Sequence, residues 1–131
     1  MQIKLTLPTE LLKKKLLEHI TLQREDMLDY VFEYDGHAYD ADLISLLNLI
    51  CTLLITLLGL ELPADFTWRT ADNQDVPHTK ESLTNLAISM WVARSQVYKK
   101  SFIIKNAIKD SDNPEYVKVK DWWKDDSVQS P

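Results

Sequence analysis

From Leu43 to Leu60 the chain runs eighteen residues without a charge, LISLLNLICTLLITLLGL, and no other stretch constrains the fold as much. That length sits at the lower edge of what spans a bilayer. At 100° per residue its polar or small positions, Ser45, Asn48, Thr52, Thr56 and Gly59, fall on one narrow stripe, while Leu, Ile and Cys51 cover the rest. A helix of this kind calls for burial on most of its circumference. Its flanks argue against lipid as the cover. Glu33, Asp35, Asp40 and Asp42 precede the run, Glu61 and Asp65 follow it, and the first base beyond it is Arg69. A membrane span carries Lys or Arg at its cytoplasmic end and Trp or Tyr at both interfaces. The early residues do not read as a secretory signal, because Lys13, Lys14, Lys15 and Glu18 interrupt any apolar segment there. The expectation is therefore a buried helix that also meets a partner, in a protein of the cell interior with no membrane contact. Cys51 is the single cysteine and is read as a small hydrophobe buried among leucines.

At 131 residues the chain suits one core rather than two comfortable domains. Its net charge of −5 is unevenly spread: residues 31–75 hold eight acids against the one base Arg69. With no basic stripe interleaved with aromatics, nucleic acid is not an expected partner. Two glycines, Gly36 and Gly59, leave no phosphate-cradling loop and no dinucleotide fingerprint.

Ile3, Leu5 and Leu7 alternate with polar residues, the pattern of a short strand ended by Pro8. A helix follows through roughly Gln23, with Leu11, Leu12, Leu16, Leu17 and Ile20 on one face and the three lysines 13–15 outward as a solvated face. Residues 30–34 and 37–39 read as two strands joined by Asp35-Gly36, a dipeptide suited to the positive φ angles of a type I′ turn. Asp40 or Asp42 is placed to cap the apolar helix through its carboxylate. Ala64 to Pro77 reads as a connection anchored by Phe66 and Trp68. Thr79 opens a long helix, about Lys80 to Lys109, whose apolar positions Leu83, Leu86, Met90, Val97, Ile104 and Ile108 recur at helical spacing. Asn113-Pro114 ends it, and a charged tail carries Trp122 and Trp123, which are expected to dock on the body or on a partner. The fold class is thus α+β, mostly α: two long helices plus an N-terminal helix, with a small antiparallel β-hairpin. The expected organisation is an N-terminal strand and helix over residues 1–29, a hairpin-helix-loop-helix domain over 30–110, and a tail over 111–131, in one compact domain.

Two segments, Phe32-Glu-Tyr-Asp-Gly-His-Ala-Tyr-Asp-Ala-Asp42 and Phe66-Thr-Trp-Arg-Thr-Ala-Asp-Asn-Gln-Asp-Val-Pro77, carry a likeness. Together with the helix between them and the long helix that follows, Tyr30 to Lys109 resembles a domain of unknown function common in tailed phages and prophages, found in proteins encoded beside or fused to tail-fibre and tail-fibre-assembly genes. The resemblance implies a virion-associated or fibre-assembly protein, in the host cytoplasm during infection or in the virion tail. It carries no chemistry with it. This chain departs from the pattern in having Leu and Ile at nearly every position of the first helix of that domain, which implies a larger buried contact here.

The candidate interface residues are Leu46, Leu47, Ile50, Leu53, Leu54 and Leu57 on the apolar helix, Trp91 and Tyr98 on the long one, and Trp122 and Trp123 in the tail. They are expected to meet a tail-fibre protein, a second copy of the chain, or both. Trp68, Arg69, Asp72 and Asn73 form a candidate structural loop, in which Asp and Asn accept from backbone amides, Trp68 plugs the core and Arg69 pairs with a nearby acid. A calcium loop starting at Asp72 fails on spacing, because its sixth position is Pro77 rather than Gly and its twelfth is Leu83 rather than Glu. His37, Asp40 and Asp42 lack a second His or Cys at ligand spacing, and His19 and His78 stand alone. No metal, cofactor or catalytic activity is expected. The alternative function is a small acidic phage protein that binds and inhibits a basic host factor; a membrane protein with Leu43–Leu60 as its span ranks behind both.

Overall fold

The computed structural model describes residues 8–114 and Trp123. The expected strand over residues 1–7 and most of the tail, Trp122 included, lie outside the described residues. Three helices, α1 (Thr9–Leu28), α2 (Leu43–Leu57) and α3 (Lys80–Asp110), alternate with β1 (Val31–Tyr34), β2 (His37–Asp40), β3 (Thr67–Arg69) and β4 (Asp75–Pro77). The strands form two antiparallel sheets of two strands each. The mostly α class read from the sequence holds, with one hairpin more than expected. The chain divides into two compact units, one of residues 1–26 and 96–131 and the other of residues 27–95. One boundary, between residues 26 and 27, falls near residue 29 at the end of α1, and the other, between residues 95 and 96, falls inside α3.

In the first unit, α1 and the C-terminal half of α3 bury Ile20, Ile104 and Ile108 completely, with Leu16, Leu17 and Val97 packed around them. Trp123 joins this core at 9% exposure. Its indole Nε1 donates to Gln23 Oε1 at 3.1 Å, and its carbonyl accepts from the buried Lys100 Nζ at 3.0 Å. The docking expected for Trp123 is thus made on the chain itself, and both polar handles it brings inside are satisfied. The lysines read as a solvated face divide: Lys14 and Lys15 are exposed, whereas Lys13 reaches the carbonyl of Lys109 at 2.7 Å. That contact places a cation on the free carbonyls at the end of α3, where the helix dipole favours it. Tyr98 lies beneath Arg24, whose guanidinium carbon stands 4.4 Å from the ring centroid.

The second unit is built on a core of Tyr39, Leu46, Leu49, Leu83, Leu86 and Met90. Its first hairpin pairs Phe32 with Tyr39 and Tyr34 with His37. Alternation along each strand then gathers all four rings on one face, with Phe32 and Tyr34 stacked at 6.4 Å. Asp35 and Gly36 both take positive φ, 48° and 78°, as the type I′ turn requires. Residues 67–77, expected to be a plain connection, form the second hairpin, with Trp68 opposite Val76 and Arg69 opposite Asp75. Strands of three residues, one ending in proline, are too short to show a period of two in the sequence. The turn of this hairpin is tied to the first, since the Ala71 amide donates to the Ala38 carbonyl at 2.8 Å.

α2 departs most from expectation. Its N-cap is Asp42, as anticipated, but the carboxylate makes no capping hydrogen bond and acts only through its charge near the helix N-terminus. At the other end Gly59, φ 109°, lets the chain turn. The Leu60 amide then returns to the Ile55 carbonyl at 3.3 Å and the Gly59 amide to the Thr56 carbonyl at 3.1 Å, a Schellman closure. Only one strip of the helix faces the core: Leu46 and Leu49, with Leu53 packed alongside. Thr56 lies on that side too, 6% exposed, and Ser45 and Thr52 are half-buried. The polar stripe, the one part of the circumference that did not call for burial, is therefore largely turned toward the protein. Its cost is small because Thr56 donates to the Leu53 carbonyl at 2.6 Å and Thr52 to the Asn48 carbonyl at 2.8 Å.

Because Trp123 completes the first core, Trp123→Ala is expected to destabilise that unit by about 3 kcal/mol. Urea denaturation checks the magnitude. Amide hydrogen exchange checks the location, with protection lost at Ile20, Ile104 and Ile108 rather than at Leu49 and Leu83.

Candidate functional site

With its polar stripe turned inward, α2 presents a bare apolar half-cylinder. Leu43, Ile44, Leu47, Ile50, Leu54 and Leu57 are between 43% and 75% exposed, and Leu58, just past the helix, is 80% exposed. Cys51, expected inside, lies on this same surface. Asn48 is the one polar side chain exposed within it, and no charge occurs on the helix at all. A continuous apolar surface of this kind is unusual on a folded protein, and such surfaces are in general associated with docking.

The interface residues read from the sequence divide accordingly. Leu47, Ile50, Leu54 and Leu57 are exposed on this surface. Leu46 is not available, because it is part of the core, and Leu53 is partly buried against that core. Trp91 is 62% exposed, with Ile88 and Val92 as exposed neighbours along α3. Tyr98 is half-buried and Trp123 is consumed in its own unit, so neither adds to the α2 surface.

Of the expected loop, Trp68 and Arg69 lie on β3, and Asp72 and Asn73 lie in the turn between β3 and β4. Thr70 is buried at its base, where its hydroxyl accepts from the Gln74 amide at 2.9 Å and donates to Asp72 Oδ1. Asn73 adopts positive φ, 64°, and its amide donates to the Thr70 carbonyl at 3.0 Å. Asp72 thus accepts from a hydroxyl rather than from the backbone amide expected of it. Trp68 packs partly buried on the core, and Arg69 pairs with Asp75 at 3.1 Å on the exposed side of the hairpin. A pair so exposed to water contributes little to stability. Beside this turn, Glu33, Asp35, Asp72 and His37 line an acidic hollow of about 470 Å³. Among the described residues no group of three His, Cys, Asp or Glu side chains is arranged to hold a metal ion.

Sequence reasoning left His78 isolated, yet it is the centre of a polar chain. Its Nε2 is 3.0 Å from the hydroxyl of the buried Tyr39, and its Nδ1 is 3.0 Å from Ser82 Oγ. Ser82 and Thr79 cap α3 reciprocally: the Thr79 amide donates to Ser82 Oγ at 2.9 Å, and the Ser82 amide donates to Thr79 Oγ1 at 3.1 Å. The Thr79-x-x-Ser82 spacing was the available signal, with His78 directly before it. Burial lowers the His78 pKa, reinforced by His37 and opposed by Asp35. Tyr39 is raised by burial, with Asp35 and Tyr34 adding to the effect. The chain is therefore neutral near neutral pH, and with Ser82 committed to the cap it clamps β2 to the head of α3.

The family described as "Domain of unknown function (DUF4376)" matches residues 12–122, and the chain belongs to it. The match extends beyond Tyr30–Lys109 on both sides and includes α1 from Leu12 onward. No curated protein and no solved structure matches the chain. Among the described residues no helix is long and apolar enough to cross a membrane.

Since His78 binds its proton less readily when folded, the unfolded chain takes up more protons as pH falls below the ordinary histidine value of 6.5. The stability that His78 contributes is fully present above that value and is lost as pH drops through its lower folded value. Urea unfolding between about pH 8 and pH 5 is expected to show this acid loss. His78→Gln is expected to be less stable at pH 8 and to have a shallower acid limb.

Proposed function

We propose that this protein is an assembly or structural interaction protein of a phage tail fibre, working by burying the outer half of α2 against another polypeptide. The observation that carries the reading is the uncharged, largely apolar half of α2 left bare by its own unit. A large aliphatic side chain gains about 1.5–3 kcal/mol on full burial, so several that are half-exposed favour association strongly. The phage setting is supported by the likeness of Tyr30–Lys109 to a domain encoded with tail-fibre genes. In this reading the protein is not an enzyme, needs no cofactor, and engages neither nucleic acid nor lipid. It acts in the host cytoplasm during infection or in the virion tail. Co-expression with the tail-fibre protein of the same phage, with a tag on one partner, tests it. The two are expected to co-purify, and Leu47→Glu or Leu54→Glu is expected to abolish capture while leaving the helix content unchanged. Failure of the native pair to co-purify, with fibre folding unaltered by the protein, contradicts the proposal.

A second reading, inhibition of a basic host factor, rests on the acidic hollow between the two hairpin turns. It predicts a complex with that factor that weakens steeply from about 0.05 to 0.5 M salt and on Asp72→Asn. An apolar α2 contact predicts little salt dependence, so the ionic-strength profile separates the two.

A further inference from the structure

We infer that the partner seated on the outer half of α2 is a second copy of this chain, packed antiparallel about a two-fold axis that passes between Ile50 and Cys51. This rests on the reading that another polypeptide covers the surface, and it specifies which one and in what geometry; the fibre protein then engages the dimer, and Leu47→Glu loses its capture by dissolving that dimer.

The first observation is the order of the exposed positions. A two-fold contact requires one patch to be complementary to itself, so that residue i meets residue j and j meets i. Reversal of α2 about the midpoint of Ile50 and Cys51 exchanges Leu43 with Leu58, Ile44 with Leu57 and Leu47 with Leu54, and Ile50 with Cys51 itself. All eight are exposed. At 3.6 residues per turn that midpoint also points along the centre of the exposed arc, so an axis placed there brings the two arcs face to face. Ile55, at the edge of the arc, exchanges with Leu46, which the core has taken.

The helix itself carries no obstacle of charge. With no charged residue from Leu43 to Leu60, two copies bury no charge between them; the acids Asp40, Asp42, Glu61 and Asp65 lie beyond the helix ends, where antiparallel packing brings the acidic flank of one copy towards that of the other and salt screens them. Eight Leu and Ile side chains from Leu43 to Leu58 are 43% to 80% exposed, a continuous strip to set against the roughly 800 Å² per partner that a specific interface buries. Ser45, Thr52 and Thr56 lie on the opposite side of the helix, and the one exposed polar group, Asn48, sits toward an edge of the arc where water reaches it. At the centre, Cys51 needs only to behave as a small apolar side chain.

The test uses the purified full chain, light scattering over a range of concentrations, and a bifunctional maleimide whose reach matches the interaxial distance of about 8–10 Å. The expected result is a dimer joined in high yield through Cys51 and lost in Cys51→Ser. Leu47→Glu, with an unchanged circular dichroism spectrum, is expected to raise the dimer dissociation constant about a hundredfold, since the symmetry introduces the charge twice. In a Cys51→Ser background, Leu43→Cys is expected not to cross-link to itself, because antiparallel packing holds the two copies of residue 43 about 22 Å apart along the axis. A dimer indifferent to Leu47→Glu overturns the assignment of the face, and cross-linking through Leu43→Cys overturns the antiparallel geometry. A monomer at every concentration overturns self-docking altogether. If that monomer still captures the fibre protein, the assembly function stands with a different occupant; if it captures nothing, both fall.

Discussion

A helix that is apolar almost all round cannot be satisfied by a neighbour on one side, and this constraint shapes the second unit. Leu46, Leu49 and Leu53 supply what the core with Tyr39, Leu83, Leu86 and Met90 needs. The remaining leucines and isoleucines of α2 have nowhere to go within the unit. The unit could have spent its single polar stripe on water. It turns that stripe toward itself instead, which is inexpensive for hydroxyls that donate to carbonyls three or four residues back in the same helix. The effect is to push the most apolar arc outward.

The rest of the unit holds that arc steady. Below α2, the aromatic face of the first hairpin is fixed by a left-handed Asp35-Gly36 turn and joined to the second hairpin through the Ala71 amide. The polar chain from Tyr39 through His78 to Ser82 ties the sheet to the capped start of α3. Past its last turn α2 is closed by Gly59, so its terminal carbonyls are paired even though Leu57, Leu58 and Leu60 are exposed. A helix whose C-terminal end and inner face are this well determined would give up little conformational freedom on association.

Much of the fold was legible because local rules decide it. The Asp-Gly turn, the Thr79 cap and the spacing of Leu83, Leu86 and Met90 each have a mechanism that acts within a few residues, and the structure follows them. What was not legible depends on partners distant in sequence. The rotation of α2 is set by which leucines Tyr39 and Leu86 accept. The second hairpin is held by a hydrogen bond from Ala71 to Ala38 that no local pattern announces. His78 gains its place from Tyr39, thirty-nine positions away, and Trp123 from Gln23, one hundred away. For the candidate interface, composition singled out the helix but not its exposed face: Leu47, Ile50, Leu54 and Leu57 are exposed, whereas Leu46, an equally apolar neighbour, is core. Cys51 shows the same limit, since one residue of helix rotation separates a buried thiol from an exposed one.

If protein covers the outer half of α2 in the working state, as proposed, the reactivity of the exposed Cys51 thiol measures that cover directly. In the native full chain the thiol is expected to react with a chromogenic disulfide far more slowly than in urea, and to speed up on dilution as the covering polypeptide leaves. A thiol that reacts at its unfolded rate at every concentration, with the tail-fibre protein present as well as absent, contradicts the account.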